Sequence, residues 1–322
     1  MFKSDVICVG SATVDSFFTV DQKVSTVKLG DKVLVEHLER HSGGGATNSA
    51  AALRKLGLKV KVLAKLGRDH DAELIEKELK EYKIKNICLN KSKKNTDSAT
   101  IVSSAQEKDR VIYVHKGAST DLKFNDFKKS QLKTKWIYLA SLMGDSWNTA
   151  KEITKYVESK KINLLFNPSL YLAKKGKNYL KSVLRATYIL VLNKEEAYAL
   201  LGIERKNKNI KKVLLELSAL GPEIVVITNG AKTLFAYNGQ FYSSTPPKIK
   251  VINTAGSGDA FTAGFLAGLI KKQNFAEALQ IGQANASSVI QHFGTKNKLL
   301  NLKEVKNFIN KYKIRVNKNI KI

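Results

Sequence analysis

The sequence predicts an α/β protein in which a mostly parallel central sheet lies between two helical layers and a small β-sheet forms a lid. From residue 135 onward, apolar strand-like runs alternate with helical stretches, which is typical of stacked βαβ units. Between residues 17 and 39, short and partly alternating segments indicate antiparallel hairpins instead. We therefore expect a three-layer αβα sandwich with a β excursion near the N-terminus.

Each predicted strand is a short run rich in apolar residues. In chain order, the strands are Asp5–Val9, Phe17–Val20, Ser25–Lys28, Lys32–Leu38, Lys59–Leu66, Asn86–Asn90, Ser98–Ser103, Arg110–His115, Trp136–Leu139, Ile162–Phe166, Tyr188–Leu192, Glu223–Thr228, Thr233–Asn238 and Gln240–Thr245. The Asn238-Gly239 dipeptide between the last two predicts a tight hairpin turn.

The predicted helices are longer stretches with helix-forming residues and, in most cases, helical apolar periodicity. In chain order, they are Ala46–Leu56, Asp71–Tyr82, Trp147–Ser159, Ile210–Leu220, Gly258–Lys271, Phe275–Phe293 and Leu302–Asn310. The chain contains no linker rich in Pro, Gly or Ser and no internal repeat. We therefore expect a single domain over residues 1–322, with a lid formed mainly by residues 15–40 and 96–118.

The composition is basic, since 55 Lys+Arg against 28 Asp+Glu give a formal net charge of +27. Such a charge is typical of nucleic-acid-binding proteins. The excess is nearly all Lys and is spread along the chain, whereas readers of bases and phosphates favour the planar fork of Arg. We expect a solvated Lys-rich surface that attracts nucleotides, and no nucleic-acid partner.

The cysteine count, the apolar runs and the N-terminal residues indicate the compartment and the absence of membrane contact. The two cysteines are too few for a disulfide framework or a Cys-rich zinc site. The longest nearly uncharged run, residues 261–270, is shorter than the ~20 residues that span a bilayer. The short N-terminal apolar run, preceded by Asp5, is unlike a signal peptide. We expect a cytoplasmic protein without a membrane partner.

The most specific local feature is Asn-Thr-Ala-Gly-Ser-Gly-Asp-Ala-Phe, residues 253–261, which follows a strand-like stretch and opens an apolar helix. Its small residues let the backbone approach a ligand, and the first amides of the helix have no partner within it. Together they predict an anion site suited to a phosphate. Asp259 has two interpretations: it stabilises the helix dipole, or it accepts a proton from a hydroxyl that attacks the phosphate.

Two common phosphate-binding patterns do not fit this chain. The dinucleotide pattern G-x-G-x-x-G requires Gly at position 261, which is Phe261, and the pattern G-x-x-x-x-G-K-[ST] does not occur. Any ATP is therefore bound without a P-loop.

Three other segments stand near predicted strand or helix ends. The triple glycine in residues 43–48 is either a hinge or a ligand-binding turn at a loop-to-helix junction. Asn193 and Glu196 have the spacing of a helix capping box, which explains them without a ligand. Thr228 and Gly230 end a strand, where ligands collect in open α/β sheets.

In this order, the segments resemble the ribokinase-like (PfkB-type) sugar and nucleoside kinases, and the resemblance covers essentially the whole chain. Residues 253–261 resemble the family's C-terminal signature D-T-x-G-A-G-D-x-F at most positions. Residues 43–48 match its N-terminal signature G-G-x-x-x-N, and N-x-x-E and T-x-G stand between the two. The resemblance implies an ATP- and Mg²⁺-dependent kinase that phosphorylates a hydroxyl of a small sugar or sugar-like substrate.

The resemblance also implies a role for each motif residue. Asp259 would be the catalytic base, and the turn Ala255–Gly258 would hold the transferring phosphoryl group, with Gly256, Ser257 and Gly258 at its centre. The residues implied in substrate binding are Asp15, Gly44 and Asn48. Those implied in nucleotide binding are Asn193, Glu196, Thr228, Gly230 and Asn285, with Glu196 holding Mg²⁺ through water and Asn285 near the adenine.

Two positions depart from the family's pattern. Asn253 stands where the family usually has an Asp that helps to hold an activating monovalent cation. Asn keeps an oxygen ligand but loses the charge, so K⁺ activation stays open. Gly45 stands where ribokinases carry Lys, which disfavours ribose itself. A nucleoside of the adenosine, inosine or cytidine type is therefore the alternative acceptor to a sugar.

Other function classes make different predictions. A non-catalytic nucleotide-binding protein on the same fold would release no ADP with any acceptor, and a nucleic-acid-binding protein would bind with a steep salt dependence. The histidines have no metal-ligand spacing, so no zinc site is expected. Members of the family often dimerise by packing their β lids, so a homodimer is a further possible partnership.

Overall fold

The computed structural model describes residues 4–104, 106, 110–203 and 209–318. Within these ranges, the strands are β1 Val6–Val9, β2 Thr13–Val20, β3 Val35–Gly43, β4 Val60–Leu63, β5 Lys85–Asn86, β6 Asp97–Ser104, β7 Arg110–His115, β8 Trp136–Ala140, β9 Asn163–Asn167, β10 Ile189–Asn193, β11 Ile224–Thr228, β12 Leu234–Tyr237, β13 Phe241–Ser244 and β14 Asn317–Lys318.

The helices that accompany these strands are α1 Gly45–Lys55, α2 His70–Glu81, α3 Ser146–Lys160, α4 Leu170–Ala173, α5 Gly176–Ala186, α6 Lys194–Leu201, α7 Ile210–Ser218, α8 Ser257–Ile270, α9 Phe275–Val289 and α10 Leu302–Tyr312. In the part of the chain that the structure describes, none of them is both long and apolar enough to cross a bilayer.

The larger sheet has the strand order β14-β13-β12-β11-β10-β9-β8-β1-β4-β5. Neighbours from β11 through β5 pair in parallel, and β12, β13 and β14 extend the sheet antiparallel at one edge. The hairpin between β12 and β13 turns at Asn238 and Gly239, as the dipeptide predicts.

Helices cover both faces of this sheet. Along β1, Val6 and Cys8 pack into a core shared with α1, α2, α8, α9 and α10, whereas Ile7 and Val9 pack into a second core shared with helices α3 to α7. Successive residues of a strand point to opposite faces, so a continuous apolar run serves both cores at once. The predicted three-layer αβα architecture is confirmed.

The smaller sheet is the lid, with the order β3-β2-β6-β7. β2 pairs antiparallel with β3 and parallel with β6, and β6 pairs antiparallel with β7. Its N-terminal part, β2 and β3, begins at Thr13 and ends at Gly43, beyond the predicted limits of 15 and 40. Residues 105 and 107–109 of the predicted lid lie outside the described residues.

Several local predictions differ from the structure; the predicted strand Lys32–Leu38, for example, is β3 at Val35–Gly43. Residues 25–28 are not a strand, because a 3₁₀ turn covers Val24–Thr26. Of the predicted strand at 86–90, only Asn86 pairs with the sheet, because β5 covers Lys85–Asn86. The predicted Phe275–Phe293 helix ends at Val289. Each error is at a short element or an element end, where sequence pattern carries least information.

Candidate active site

Two cavities meet at the first turn of α8. The first, here called the carboxylate cavity, has a volume of about 370 Å³ and lies between the lid and the carboxyl ends of β8 to β11; Asp259 and Glu196 are in its wall. The second, here called the apolar cavity, has about 410 Å³ and is bordered by Pro246, Ile249 and Ile290. Thr228 and Gly258 line both cavities, so the two cavities border the same turn from different sides.

The turn before α8 needs glycine for a steric reason. Gly256 has φ 75°, and a Cβ there would overlap the backbone of Thr295. The first bond within the helix runs from the amide of Ala260 to the carbonyl of Gly256. The amides of Gly258 and Asp259 therefore precede the first intrahelical bond and are available to an anion.

Part of the predicted anion hole is used within the turn itself. The amide of Ala255 donates to Asn253 Oδ1 at 3.0 Å, and the amide of Ser257 donates to the carbonyl of Thr254 at 3.3 Å. Two of the four amides in the predicted Ala255–Gly258 turn are thus engaged within the turn itself, which reduces the number available to an anion.

Asp259 is held by a chain of polar side chains. Asn48 Nδ2, from α1, donates to Asp259 Oδ2 at 2.8 Å, and Thr295 Oγ1 donates to Asn48 Oδ1 at 2.9 Å. Burial raises the pKa of Asp259 to about 6, although the Asn48 hydrogen bond and the charge of Lys296 oppose the rise. The carboxylate is oriented toward the cavity and has the basicity expected of a proton acceptor near neutral pH.

Glu196 and Asn193 form the predicted capping box of α6. The amide of Glu196 donates to Asn193 Oδ1, and the amide of Asn193 donates to Glu196 Oε2, both at 2.8 Å. Both residues also line the carboxylate cavity. Burial, with the charge of Asp259 as a smaller cause, raises the pKa of Glu196 to about 7. Two carboxylates that resist ionisation therefore share one cavity.

The predicted substrate residues lie where the lid joins α1. Asp15 is on β2, accepts a hydrogen bond from Thr13 Oγ1 at 3.0 Å, and has a pKa raised by burial. Gly44 has φ 98° and packs against the backbone of Ser11 so closely that a Cβ would overlap it. Neither residue borders the carboxylate cavity, although Ser11 and Gly45 beside them do.

Some of the residues predicted to bind the nucleotide line the apolar cavity, and others do not. Thr228 and Gly230 line it. Asn285 does not: its side chain is fully buried and Oδ1 accepts the amide of Leu300 at 3.0 Å. Its neighbours Ala286 and Ser287 line the cavity instead, because successive residues of a helix point in directions about 100° apart. The place of Asn285 near the adenine stays a prediction, although its side chain does not line the apolar cavity.

Asn253 is buried beneath the α8 turn. Its Oδ1 accepts the Ala255 amide, and its Nδ2 has no hydrogen-bond partner among the described residues. The oxygen that the sequence offers as a cation ligand is thus already engaged by the backbone.

The sequence analysis missed a buried cation under the site. Lys296 Nζ lies 2.6 Å from Glu78 Oε2 of α2 and also contacts Ser42 Oγ. Burial lowers the pKa of Lys296, although Glu78 opposes that change. No motif marks this lysine among the many in the chain, so only the fold identifies it. Arg110 of the lid was missed too; it donates to Thr254 Oγ1 at 2.9 Å and joins lid to body beside the α8 turn.

Among the described residues, no group of three or more His, Cys, Asp or Glu side chains is arranged to hold a metal ion. Any ion at Glu196 would therefore need ligands from a bound molecule or from water to complete its coordination.

Comparison with known proteins gives the family. The model for the pfkB family of carbohydrate kinases matches residues 3–301. A ribokinase of Staphylococcus aureus is 28% identical over 316 residues, covering 93% of this chain and 98% of that protein. An ATP-dependent 6-phosphofructokinase of Thermoanaerobacterium thermosaccharolyticum is 23% identical over 323 residues, covering 97% and 96%.

Solved structures share the fold over nearly the whole chain. The nucleoside kinase of Methanocaldococcus jannaschii superposes with a TM-score of 0.79 at 22% identity, covering 96% of this chain and 99% of that one. Arabidopsis thaliana ribokinase, solved with ribose and ATP, has a TM-score of 0.80 at 20% identity, covering 95% and 98%. The chain belongs to the PfkB family of carbohydrate kinases, and it is a sugar or nucleoside kinase with the ribokinase fold.

Proposed function

We propose that this protein transfers the γ-phosphoryl group of ATP to a hydroxyl of a small sugar or sugar-like acceptor, with Asp259 as the base. The observation that carries this proposal is the meeting of two cavities at Gly258, with Asp259 in the wall of the carboxylate cavity. A phosphoryl group held by the first amides of α8 is accessible to a donor from one side and to an acceptor from the other.

The donor fits the apolar cavity. Phe261, Ala286 and Ile290 offer an apolar surface to a purine, and Thr228 and Gly230 border the route to the α8 turn. The partial positive charge at the start of α8 favours the phosphates there. Solved relatives support ATP as the donor, since the Arabidopsis thaliana ribokinase structure contains it.

The transfer step balances without a further reactant. The acceptor oxygen forms a bond to the γ-phosphorus while the bond from that phosphorus to the β,γ-bridging oxygen breaks, and ADP leaves with the electron pair. Asp259 takes the proton of the attacking hydroxyl. Because such transition states are loose, positioning and charge neutralisation matter more than base strength, and a carboxylate with a pKa of about 6 is sufficient.

A divalent cation would offset the negative charges of the two carboxylates in this cavity. Glu196 and Asp259 face one cavity and both resist ionisation through burial. We propose that Glu196, with Asn193, holds Mg²⁺ through water. When bound, Mg²⁺ would neutralise phosphate charge.

The acceptor would lie under the lid. Asp15 and Asn48 would offer a carboxylate and an amide to adjacent hydroxyls once the lid closes, and Gly44, packed against the Ser11 backbone, starts the helix that carries Asn48. Closure of the lid would exclude water as a competing nucleophile.

The experiment is an acceptor panel read out by ADP release, covering ribonucleosides, hexoses, 2-keto-3-deoxygluconate and sugar phosphates. Asp259→Asn should lower kcat at least about 10³-fold while ATP binding by calorimetry is preserved. Asp145→Asn is the matched control, because Asp145 is an exposed carboxylate at the start of α3 and borders neither cavity. Wild-type turnover by Asp259→Asn would refute the role of Asp259.

A nucleoside is the second candidate acceptor. The nucleoside kinase of Methanocaldococcus jannaschii is 24% identical over 96% of this chain. The carboxylate cavity has apolar wall residues, Val114, Met143 and Tyr171, against which a base would pack. Turnover of ribonucleosides with kcat/KM above that of every sugar in the panel would favour this candidate.

We also propose a homodimer formed through the lid, acting in the cytoplasm where ATP is available. Strand β7 exposes four consecutive apolar residues, Val111–Val114, and Leu38 of β3 is exposed at the other edge of the same sheet. Burying such a patch against a second copy would remove it from water. Sedimentation should give a dimer for the wild type and a monomer for Tyr113→Ser; a monomeric wild type would overturn the proposal.

A further inference from the structure

A lysine of the lid points into the acceptor side of the site. Lys116 follows β7 directly and lines the carboxylate cavity together with Val114 and Ser119. Its side chain is about one-third exposed. The same cavity contains Asp259, so an acceptor in it has a base and a cation within one enclosure.

A fully buried carboxylate anchors this lysine. Lys116 Nζ lies 3.4 Å from Asp97 Oδ2, and the Asp97 side chain has no exposed surface. Asp97 also accepts hydrogen bonds from the amides of Gly117 and Ser119, each at 3.0 Å, and from Ser119 Oγ at 2.5 Å. The turn that carries Lys116 is therefore rigidly attached to the lid.

Asp97 accepts three hydrogen bonds from other donors, so its ion pair with Lys116 uses only part of the hydrogen-bonding capacity of the ammonium group. Three hydrogen bonds from Gly117 and Ser119 occupy its oxygens, and the Lys116 contact is longer than any of them. An ammonium group has three donors. At one-third exposure and at the cavity wall, the donors not directed at Asp97 are accessible to a ligand.

We propose that the acceptor carries an anionic group, a carboxylate or a phosphate, and that Lys116 binds that group. This inference rests on the proposed function, because it names the class of acceptor for the same site. The carboxylates of Asp259 and Glu196 serve the phosphoryl-transfer end of the cavity, and the ammonium of Lys116 serves the lid end. A neutral sugar would leave the ammonium donors that are not directed at Asp97 without a charged acceptor in the closed site.

The test uses acceptor pairs that differ in the anionic group: fructose with fructose 6-phosphate, and glucitol with gluconate. The wild type should show a kcat/KM at least about tenfold higher for one charged member than for its neutral partner. Lys116→Met should raise KM for that acceptor about 10- to 100-fold, with kcat changed less than about threefold. Lys116→Arg should retain part of the effect, because it keeps the charge.

Lys94→Met is the matched control, since Lys94 Nζ donates to Thr120 Oγ1 at 3.0 Å in an exposed position and does not border the cavity. Preference for fructose 6-phosphate identifies a phosphate as the bound group, and preference for gluconate identifies a carboxylate. Equal turnover of charged and neutral partners, or an equal loss for both in Lys116→Met, would overturn the inference.

Failure of the kinase proposal would look different. In that case no acceptor of the panel releases ADP from ATP. Calorimetric titration of the Asp259→Asn variant with fructose 6-phosphate and with gluconate then tests Lys116 without turnover. Binding that Lys116→Met abolishes in this background supports the inference, and binding of neither compound contradicts it.

Discussion

Helices α6 and α9 begin with the same local structure and meet different surroundings. At α6, the Glu196 amide donates to Asn193 Oδ1 at 2.8 Å and the Asn193 amide donates to Glu196 Oε2 at 2.8 Å. At α9, the matching bonds between Glu277 and Asn274 are 2.9 and 3.2 Å. Both pairs read N-x-x-E in the sequence, and both satisfy the orphan amides of a helix start.

The difference lies in what each glutamate faces. Asn193 is the last residue of β10, at the carboxyl edge of the parallel sheet, and Glu196 faces the carboxylate cavity with Asp259. Glu277 is exposed and borders a different cavity, between α9 and α10, whose lining does not include Asp259. The same capping hydrogen bonds thus stabilise the start of α9, whereas at α6 they also hold a carboxylate that is a candidate ion ligand. The chemical role of a motif therefore depends on which residues surround it in the fold.

The largest expected effect is on turnover. Glu196→Gln keeps an oxygen for the capping bond and removes the charge, so we expect kcat to fall about 10²-fold and the Mg²⁺ requirement to rise. Glu277→Gln makes the same chemical change at the other cap and should leave both within about twofold. Steady-state kinetics over a Mg²⁺ series measures this. Equal losses in the two variants would make Glu196 a cap and nothing more.

The next effect is on the pH profile. The pKa values of Asp259 and Glu196 are raised to about 6 and about 7, and the base must be ionised. The kcat/KM of the wild type should therefore fall with decreasing pH between 7 and 6, with apparent pKa values that belong to the pair. In Glu196→Gln the fall should begin near or below pH 6, because a neighbouring negative charge has been removed. A wild-type profile flat down to pH 5 would contradict the assignment of Asp259 as the base.

A smaller effect concerns stability. The pKa of Glu196 is about 7 in the folded protein and ordinarily 4.5, so above pH 7 folding carries the cost of a buried charge, and below about pH 4.5 that cost disappears. Glu196→Gln should raise the free energy of unfolding by about 1–3 kcal/mol at pH 8 and have little effect at pH 4. Glu277→Gln should change it by less than about 1 kcal/mol at pH 8. Urea unfolding at the two pH values distinguishes these outcomes.

The smallest effect is expected at the α8 turn. Since Asn253 Oδ1 already accepts the Ala255 amide, we expect kcat to change less than about twofold when KCl replaces tetramethylammonium chloride at constant ionic strength. Asn253→Asp restores a charged oxygen ligand and is the companion variant. Activation of the wild type by K⁺ of more than about fivefold would contradict this expectation and indicate that Asn253 Oδ1 binds the cation.

The main architecture followed from sequence because it depends on burial patterns. Runs such as Ile189–Asn193 are apolar at nearly every position, and this composition is stable only where helices cover both faces of a sheet. The lid was harder to predict. Its β2–β6 pairing is parallel and joins residues more than 80 positions apart, and no turn signal between them specifies such a partner.

The site was predictable where it coincides with a motif and unpredictable where it depends on side-chain direction. Gly256 and Asp259 stand in one continuous segment with a steric and an electrostatic requirement that sequence reveals. Asn285, predicted to lie near the adenine, is buried away from the apolar cavity that its neighbours line, because a shift of one residue along a helix turns a side chain by about 100°. Lys296 and Thr295 carry no pattern at all; they matter because the fold brings them under α1 and α2.

The amino-acid sequence alone thus determined the layered fold and identified the glycine turn before α8 and Asp259 as a candidate phosphate site and base, because each is encoded by neighbours along the chain. Only the tertiary structure decided which of the identical N-x-x-E caps shares a cavity with Asp259, which lysine lines that cavity, and which carboxylates resist ionisation. Those properties depend on solvent exclusion and on charges contributed by distant segments, and both arise only when the chain has folded.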